Sequence, residues 1–203
     1  MSEGLYNLLS KIRDNYLCIV RNLSNSLEEK DKYTRNHCER VTKYSLAIAK
    51  KMRLNEEELL GLEFAGLLHD IGKIGIPSEI INKEGMLTSE EYEVIKKHPE
   101  LGYELLKSMT FLDSSSKILL QHHERIDGKG YPYGLEAHEI DKLAKILAVA
   151  DAYDAMTTVR PYRMDKLTNE QAIVEFVRHK NTQFDEFVVD VFVDILSSGG
   201  MAS

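Results

Sequence analysis

The segment LLHDIGKIGIP, from Leu67 to Pro77, places a His-Asp pair directly after an apolar run and a lysine four residues beyond the histidine. Apolar residues upstream of the pair recur every three or four positions, which indicates a helix. His69 and Lys73 are therefore predicted to share a face of this helix, with Gly72 and Pro77 at its end. Polar groups beside a core cost free energy unless they are paired or bind an ion. The segment predicts a helix that carries functional side chains into the core.

The remaining chain also indicates helices. Three pairs of residues have the spacing of a capping box and predict helix starts, namely Asn55 with Glu58, Thr88 with Glu91, and Thr168 with Gln171. Pro99 suits the first turn of another helix, with His98 as its cap. No segment alternates apolar and polar residues over the length of a strand. The predicted fold class is all-α, a helical bundle with an N-terminal helical extension.

The N-terminal extension carries an apolar stripe in steps of three and four residues. Its members are Leu5, Leu9, Ile12, Tyr16, Ile19, Leu23 and Leu27. Such a stripe either packs on its own domain or forms a seam in a homodimer, and the sequence leaves both alternatives open.

Composition excludes several classes of protein. The chain of 203 residues is 43% hydrophobic and 29% charged, which is typical of a globular domain. A net charge of −7 argues against a general nucleic-acid surface, although local cations could still bind an anionic small molecule. No apolar run approaches the length of a membrane span and no secretion signal is visible, so a cytoplasmic protein without membrane insertion is predicted. Cys18 and Cys38 are predicted to be reduced and buried.

Five histidines and two aspartates fall at predicted helix ends or on apolar faces. They are His37, His69, His98, His122, His123, Asp70 and Asp151. Nitrogen and oxygen donors without thiolate favour Fe, Mn, Co, Zn or Ni. Asp70 is the candidate bridge between two ions that share a hydroxide, and Lys73 would neutralise charge in the transition state.

Six motifs in fixed order closely resemble the HD-GYP domain, a branch of the HD-domain metal phosphohydrolases, over about residues 26–196. They are HDIGK (69–73), HPELG (98–102), HHE (122–124), DGKGYP (127–132), VADAYDAM (149–156) and RPYR (160–163). The resemblance divides the chain into a helical lead (1–25), a catalytic domain (26–196) and a tail (197–203).

The resemblance implies a bacterial signalling enzyme that hydrolyses cyclic di-GMP to linear pGpG, and in some members onward to GMP, by attack of a metal-bridging hydroxide. It also implies two groups of ligands that share Asp70. One ion would be held by His37, His69, Asp70 and Asp151, and the other by Asp70, His98, His122 and His123.

Further roles follow from the resemblance alone. Asp31 and Lys73 match positions near the scissile phosphate, and Arg160 and Arg163 match residues that bind substrate phosphates, a role suited to guanidinium groups. Tyr131 matches the signature tyrosine at the lip of the pocket, where it would either stack on a guanine or brace the loop.

One position departs from the family pattern. Some members bind a third metal through a glutamate four residues before the first histidine, where this chain has Tyr33. Two divalent transition-metal ions are therefore predicted, with iron favoured and manganese as the alternative.

Two other functions stay open. The same hydrolysis could act on cyclic GMP-AMP or on the linear product, because the ligands address phosphate and not the base. Alternatively, the domain could sense cyclic di-GMP, or dock a signalling partner through the GYP loop, without turnover. The presence of all seven ligands favours catalysis, in a chain that is either free-standing or part of a longer protein.

Overall fold

The computed structural model describes residues 3–30, 36–158 and 166–199. The α-helices in these ranges are α1 (Glu3–Lys30), α2 (His37–Lys51), α3 (Glu56–Leu68), α4 (Ser78–Ile81), α5 (Ser89–Ile95), α6 (His98–Leu106), α7 (Asp113–Leu120), α8 (Lys142–Thr157), α9 (Asn169–Arg178) and α10 (Glu186–Ser197). Two 3-10 helices span Ile71–Gly75 and Thr110–Leu112. Only isolated bridges and no strand occur in the described ranges, which confirms the all-α prediction.

Helix α3 lies at the centre of the fold because it is apolar on nearly every side. Leu62 and Ala65 face a larger core with α2, α8, α9 and α10, whereas Leu67 and Leu68 face a smaller core with α1. Gly66 lets α2 approach closely, since a Cβ there would lie 2.6 Å from the Thr42 hydroxyl oxygen. The segment that follows α3 therefore emerges between two cores.

The predicted helix starts are largely confirmed. All three capping boxes form, at Asn55, Thr88 and Thr168. Pro99 lies in the first turn of α6 as expected, but the prediction of His98 as the cap is wrong, because Lys97 caps the helix and His98 is its first residue.

The predicted extension of α3 to Lys73 is wrong. The helix ends at Leu68, and the chain turns through His69 and Asp70 into the 3-10 helix Ile71–Gly75. This turn presses Gly72 against the start of α6, where a Cβ would lie 1.9 Å from the carbonyl oxygen of His98. The contact ties the His-Asp pair to a distant histidine.

Helix α1 packs on its own domain, but along a different line from the predicted stripe. Val20 and Leu27 are buried in the smaller core, whereas Ile12 is 41% exposed and Ile19 is 50% exposed. The alternative of packing on the same domain is wrong for these two isoleucines, because a straight helix of 3.6 residues per turn contacts α3 through positions 16, 20, 23 and 27. The homodimer alternative stays a prediction.

Two further expectations have outcomes here. Cys38 is buried as predicted, but Cys18 is exposed, because it lies on the side of α1 opposite Val20. The boundary predicted after residue 25 falls inside α1, which is continuous, and the division into lead, domain and tail stays a prediction.

Among the described helices, none is long and apolar enough to cross a membrane.

Candidate metal centre

The structure brings together all seven predicted ligands, six from helix ends and turns and one from the interior of a helix. His37 begins α2, His69 and Asp70 follow α3, His98 begins α6, His122 and His123 follow α7, and Asp151 lies within α8. Three overlapping groups have ligand atoms close enough to hold an ion: His37, His69 and Asp70; His98, His122 and His123; and His69, His122 and Asp151.

Asp70 lies between the imidazoles of His37 and His69 on one side and that of His98 on the other, and directs one carboxylate oxygen toward each side. Its Oδ2 is 3.8 Å from Nε2 of His37 and 3.6 Å from Nε2 of His69. Its Oδ1 is 3.4 Å from Nε2 of His98. The carboxylate therefore has the placement that a bridging ligand requires.

The spacing between imidazoles fits coordination of an ion. Nε2 of His37 is 3.2 Å from Nε2 of His69, and Nε2 of His98 is 3.3 Å from Nε2 of His122. Nitrogens that share one ion at ordinary bond lengths lie about 3.0–3.4 Å apart. The donor set thus fits divalent metal ions.

Three of the histidines are oriented by the carbonyls at the end of the preceding helix. Each carbonyl accepts a hydrogen bond from the ring Nδ1–H of the histidine three residues later. The pairs are Gly66 with His69, Ile95 with His98, and Leu119 with His122. These carbonyls lack a partner within the helix. Protonation at Nδ1 leaves the Nε2 lone pair directed at the centre.

His37 is oriented differently, by a buried carboxylate. Its Nδ1 lies 2.7 Å from Oδ2 of Asp154. The same carboxylate accepts hydrogen bonds from the guanidinium of Arg40, at 2.5 Å to Oδ1 and 3.0 Å to Oδ2. Asp154 entered the sequence prediction only as part of the motif VADAYDAM, with no assigned role, and Arg40 belongs to none of the motifs. Both lie three residues beyond a predicted ligand on the same helix face, and this spacing is the signal that could have found them.

Burial and charge set the protonation of the metal-free site. Burial alone would raise the pKa of Asp70, but Lys73 and the neighbouring imidazoles hold the pKa well below its usual range. Burial lowers the pKa of His98 to about 3 and that of His123 to about 4. Burial also opposes the charge on His37, yet hydrogen bonds to Asp151 and Asp154 raise its pKa to about 9.

Lys73 contacts the predicted bridge. Its Nζ donates to Oδ2 of Asp70 at 2.8 Å, from within the 3-10 helix. The amine therefore balances the charge of this carboxylate, and any role toward a substrate phosphate stays a prediction.

The loop that contains the GYP tripeptide is fixed by a second buried carboxylate. Glu124 accepts hydrogen bonds from the backbone N–H of Tyr133 at 2.7 Å and of Leu135 at 3.0 Å. Gly130 fits beneath it, since a Cβ there would lie 2.4 Å from the backbone nitrogen of Arg125. Glu124 entered the sequence prediction only as part of the motif HHE, and these contacts give it a structural role.

Tyr131 contacts the site directly. Its ring stacks on His123 with centroids 4.7 Å apart and an angle of 29° between the planes. This is the contact that the bracing alternative requires. Four predicted residues, Asp31, Tyr33, Arg160 and Arg163, lie outside the described residues.

A cavity of about 730 Å³ opens beside the ligands. His122, His123 and Asp151 line one side of it, and its other walls include Tyr92, Tyr131, Ala152, Met156 and Glu175. Cavities of this size hold small organic ligands. The ligand cluster is therefore accessible to a molecule larger than water.

Comparisons with known proteins identify the family of this chain. The family model described as HD domain matches residues 21–188. A cyclic di-GMP phosphodiesterase of Thermotoga maritima is 40% identical over 90% of this chain and 50% of its own length. A 3'3'-cGAMP-specific phosphodiesterase 2 of Vibrio cholerae is 33% identical over 93% of this chain and 36% of its own length. The chain thus spans half or less of these relatives.

A solved structure of Bd1817, an HDG"Y"P protein from Bdellovibrio bacteriovorus, shares the fold. Its TM-score is 0.62 at 24% identity, and the match covers 79% of this chain and 51% of that one. The chain belongs to the HD-domain family, and its motifs place it in the HD-GYP branch.

Proposed function

We propose that this chain is a metal-dependent phosphodiesterase that hydrolyses cyclic di-GMP to linear pGpG; the assay below decides whether hydrolysis continues to GMP. One observation carries the proposal: Asp70 directs its two oxygens at two separate groups of imidazoles beside a cavity large enough for a dinucleotide. The Thermotoga relative, named for this activity, supports the substrate.

The residues have separable roles. The seven ligands would hold two divalent transition-metal ions, because the site offers nitrogen and oxygen donors only. Iron is proposed first and manganese second, and the donor set by itself does not choose between them. Such ions, when bound, activate water and polarise a phosphodiester. Asp70 stays ionised because its pKa is held low, and Lys73 offsets part of its charge. Asp31, Arg160 and Arg163 are proposed to bind the substrate.

A second substrate has its own support. The Vibrio relative is named as specific for 3'3'-cGAMP, and metal ions held by the described ligands would act on the phosphodiester and not on the bases. Cyclic GMP-AMP is therefore the alternative substrate.

The decisive experiment is an anaerobic assay of the chain loaded with iron or manganese. Cyclic di-GMP, cyclic GMP-AMP and pGpG are supplied separately, and products are followed over time. We expect fastest turnover of cyclic di-GMP, with two metal ions per chain. Binding of cyclic di-GMP without hydrolysis of any of the three would favour the sensing alternative.

Replacing Asp70 tests the bridge. D70A should lose turnover and bound metal together, because both groups of imidazoles lose their shared ligand. D113A removes an exposed carboxylate paired with Lys117 and should change neither property. Full activity in D70A would refute the bridging role.

A further inference from the structure

The ring of Tyr131 is engaged by the protein itself. It stacks on His123, and the Nζ of Lys96 lies 5.7 Å from its centroid. Burial raises its pKa strongly, as expected for a phenol enclosed by protein. His123 therefore covers one face of Tyr131, and a second aromatic ring at the same cavity is a candidate surface for a nucleobase.

Tyr92 offers such a surface at the same cavity. It lies on α5, lines the cavity together with His123 and Asp151, and is 48% exposed. No aromatic ring in the described ranges stacks on it. Lys96, one turn after Tyr92 and directly past the end of α5, places its Nζ over the Tyr92 ring at 5.5 Å from the centroid, so a cation lies over one face of the ring.

We propose that Tyr92 is a stacking platform for a purine base of the cyclic dinucleotide while a phosphodiester lies at the metal centre. The inference rests on the proposed function and adds a binding residue to it. Aromatic side chains stack on every base because each base has a π-face. Tyr92 should therefore contribute affinity without selecting guanine over adenine.

Kinetics of the metal-loaded chain test the platform. Y92A should raise KM for cyclic di-GMP roughly 5- to 100-fold, the range expected for loss of one stacked base, with kcat changed little. Y92F should match the parent chain, because stacking does not need the hydroxyl. Y133A is the matched control, since Tyr133 is 58% exposed but does not line the cavity.

An unchanged KM in Y92A would overturn the proposal. A loss in Y92F equal to that in Y92A would also overturn it, because the hydroxyl and not the ring face would then be responsible. Urea unfolding of each variant separates loss of binding from loss of fold, and Y92F and Y92W report on the ring even where Y92A unfolds.

Fluorescence gives a readout that does not depend on turnover. The chain has no tryptophan, so Y92W introduces a single reporter at the cavity. Rapid mixing of metal-loaded Y92W with cyclic di-GMP should quench its emission saturably, whereas Y133W should not respond. Quenching without hydrolysis would refute the proposed function and support Tyr92 as the stacking platform. Hydrolysis with no quenching in Y92W would refute only the platform.

Discussion

Three histidines owe their orientation to the ends of helices. Each lies three residues beyond a carbonyl in the last turn of a helix, as His69 does after Gly66. The backbone thereby gains a side-chain donor for a carbonyl at the helix end, and the ring gains a fixed tautomer. A histidine just past a helix end is thus a stronger ligand signal than a histidine in mid-helix.

Asp154 orients His37 and should control metal affinity without touching the metal. D154N keeps the shape but removes the charge that holds the Nδ1 proton and pairs with Arg40. We expect metal affinity to fall about 10- to 100-fold, as for other partners of ligating histidines, measured by competition with a chelating dye. D190N, at an exposed carboxylate paired with Lys180, serves as control. Equal affinity in both variants would contradict the role.

At the scale of elements, the 3-10 helix that follows α3 sets the distance from Asp70 to His98. G72A should destabilise the fold by roughly 1–3 kcal/mol or more, because the added Cβ meets the His98 carbonyl. The control G75A lies in the same 3-10 helix, but its Cβ meets only the end of the Leu101 side chain, at 3.0 Å. Urea unfolding and metal content per chain measure both effects. A G72A variant as stable and as metal-rich as G75A would show that this contact is dispensable.

The same segment shows what sequence could and could not predict. The start of α3 was predictable because Asn55 and Glu58 interact locally. Its end was not, because the 3-10 turn depends on close approach of Gly72 to α6, a contact between distant residues. Likewise, the ligand positions followed from motifs, whereas the pairing of Arg40 with Asp154 links residues 114 apart in the chain.

At the scale of the whole molecule, the site joins the two cores. His37 and Asp151 come from α2 and α8 of the larger core, whereas Asp70 adjoins Ile71 of the smaller core. In the metal-free chain these groups should make stability depend on pH. His98 and His123 are buried with low pKa values and His37 with a high one.

The expected pH profile of the metal-free chain has a maximum near the pKa of unfolded histidine, 6.5. Between pH 9 and 6.5 only the folded chain binds a proton at His37, so stability rises as the pH falls. Below 6.5 only the unfolded chain protonates His98 and His123, so stability falls toward pH 4. Urea midpoints in chelator at pH 9, 6.5 and 5 measure the profile. Equal midpoints at pH 6.5 and 5 would contradict it.

The exposed face of α1 bears on assembly. Ile12 and Ile19 are one heptad apart and do not enter the smaller core, so they are positioned for the predicted homodimer seam. We expect the chain to sediment as a dimer and I12E/I19E as a monomer, because two buried charges would oppose association. C18E/N25E adds two charges with the same spacing at exposed positions about a third of a turn away from the isoleucines, and should stay dimeric. A monomeric parent chain, or equal dissociation of both double variants, would show that this face of α1 does not form a dimer seam.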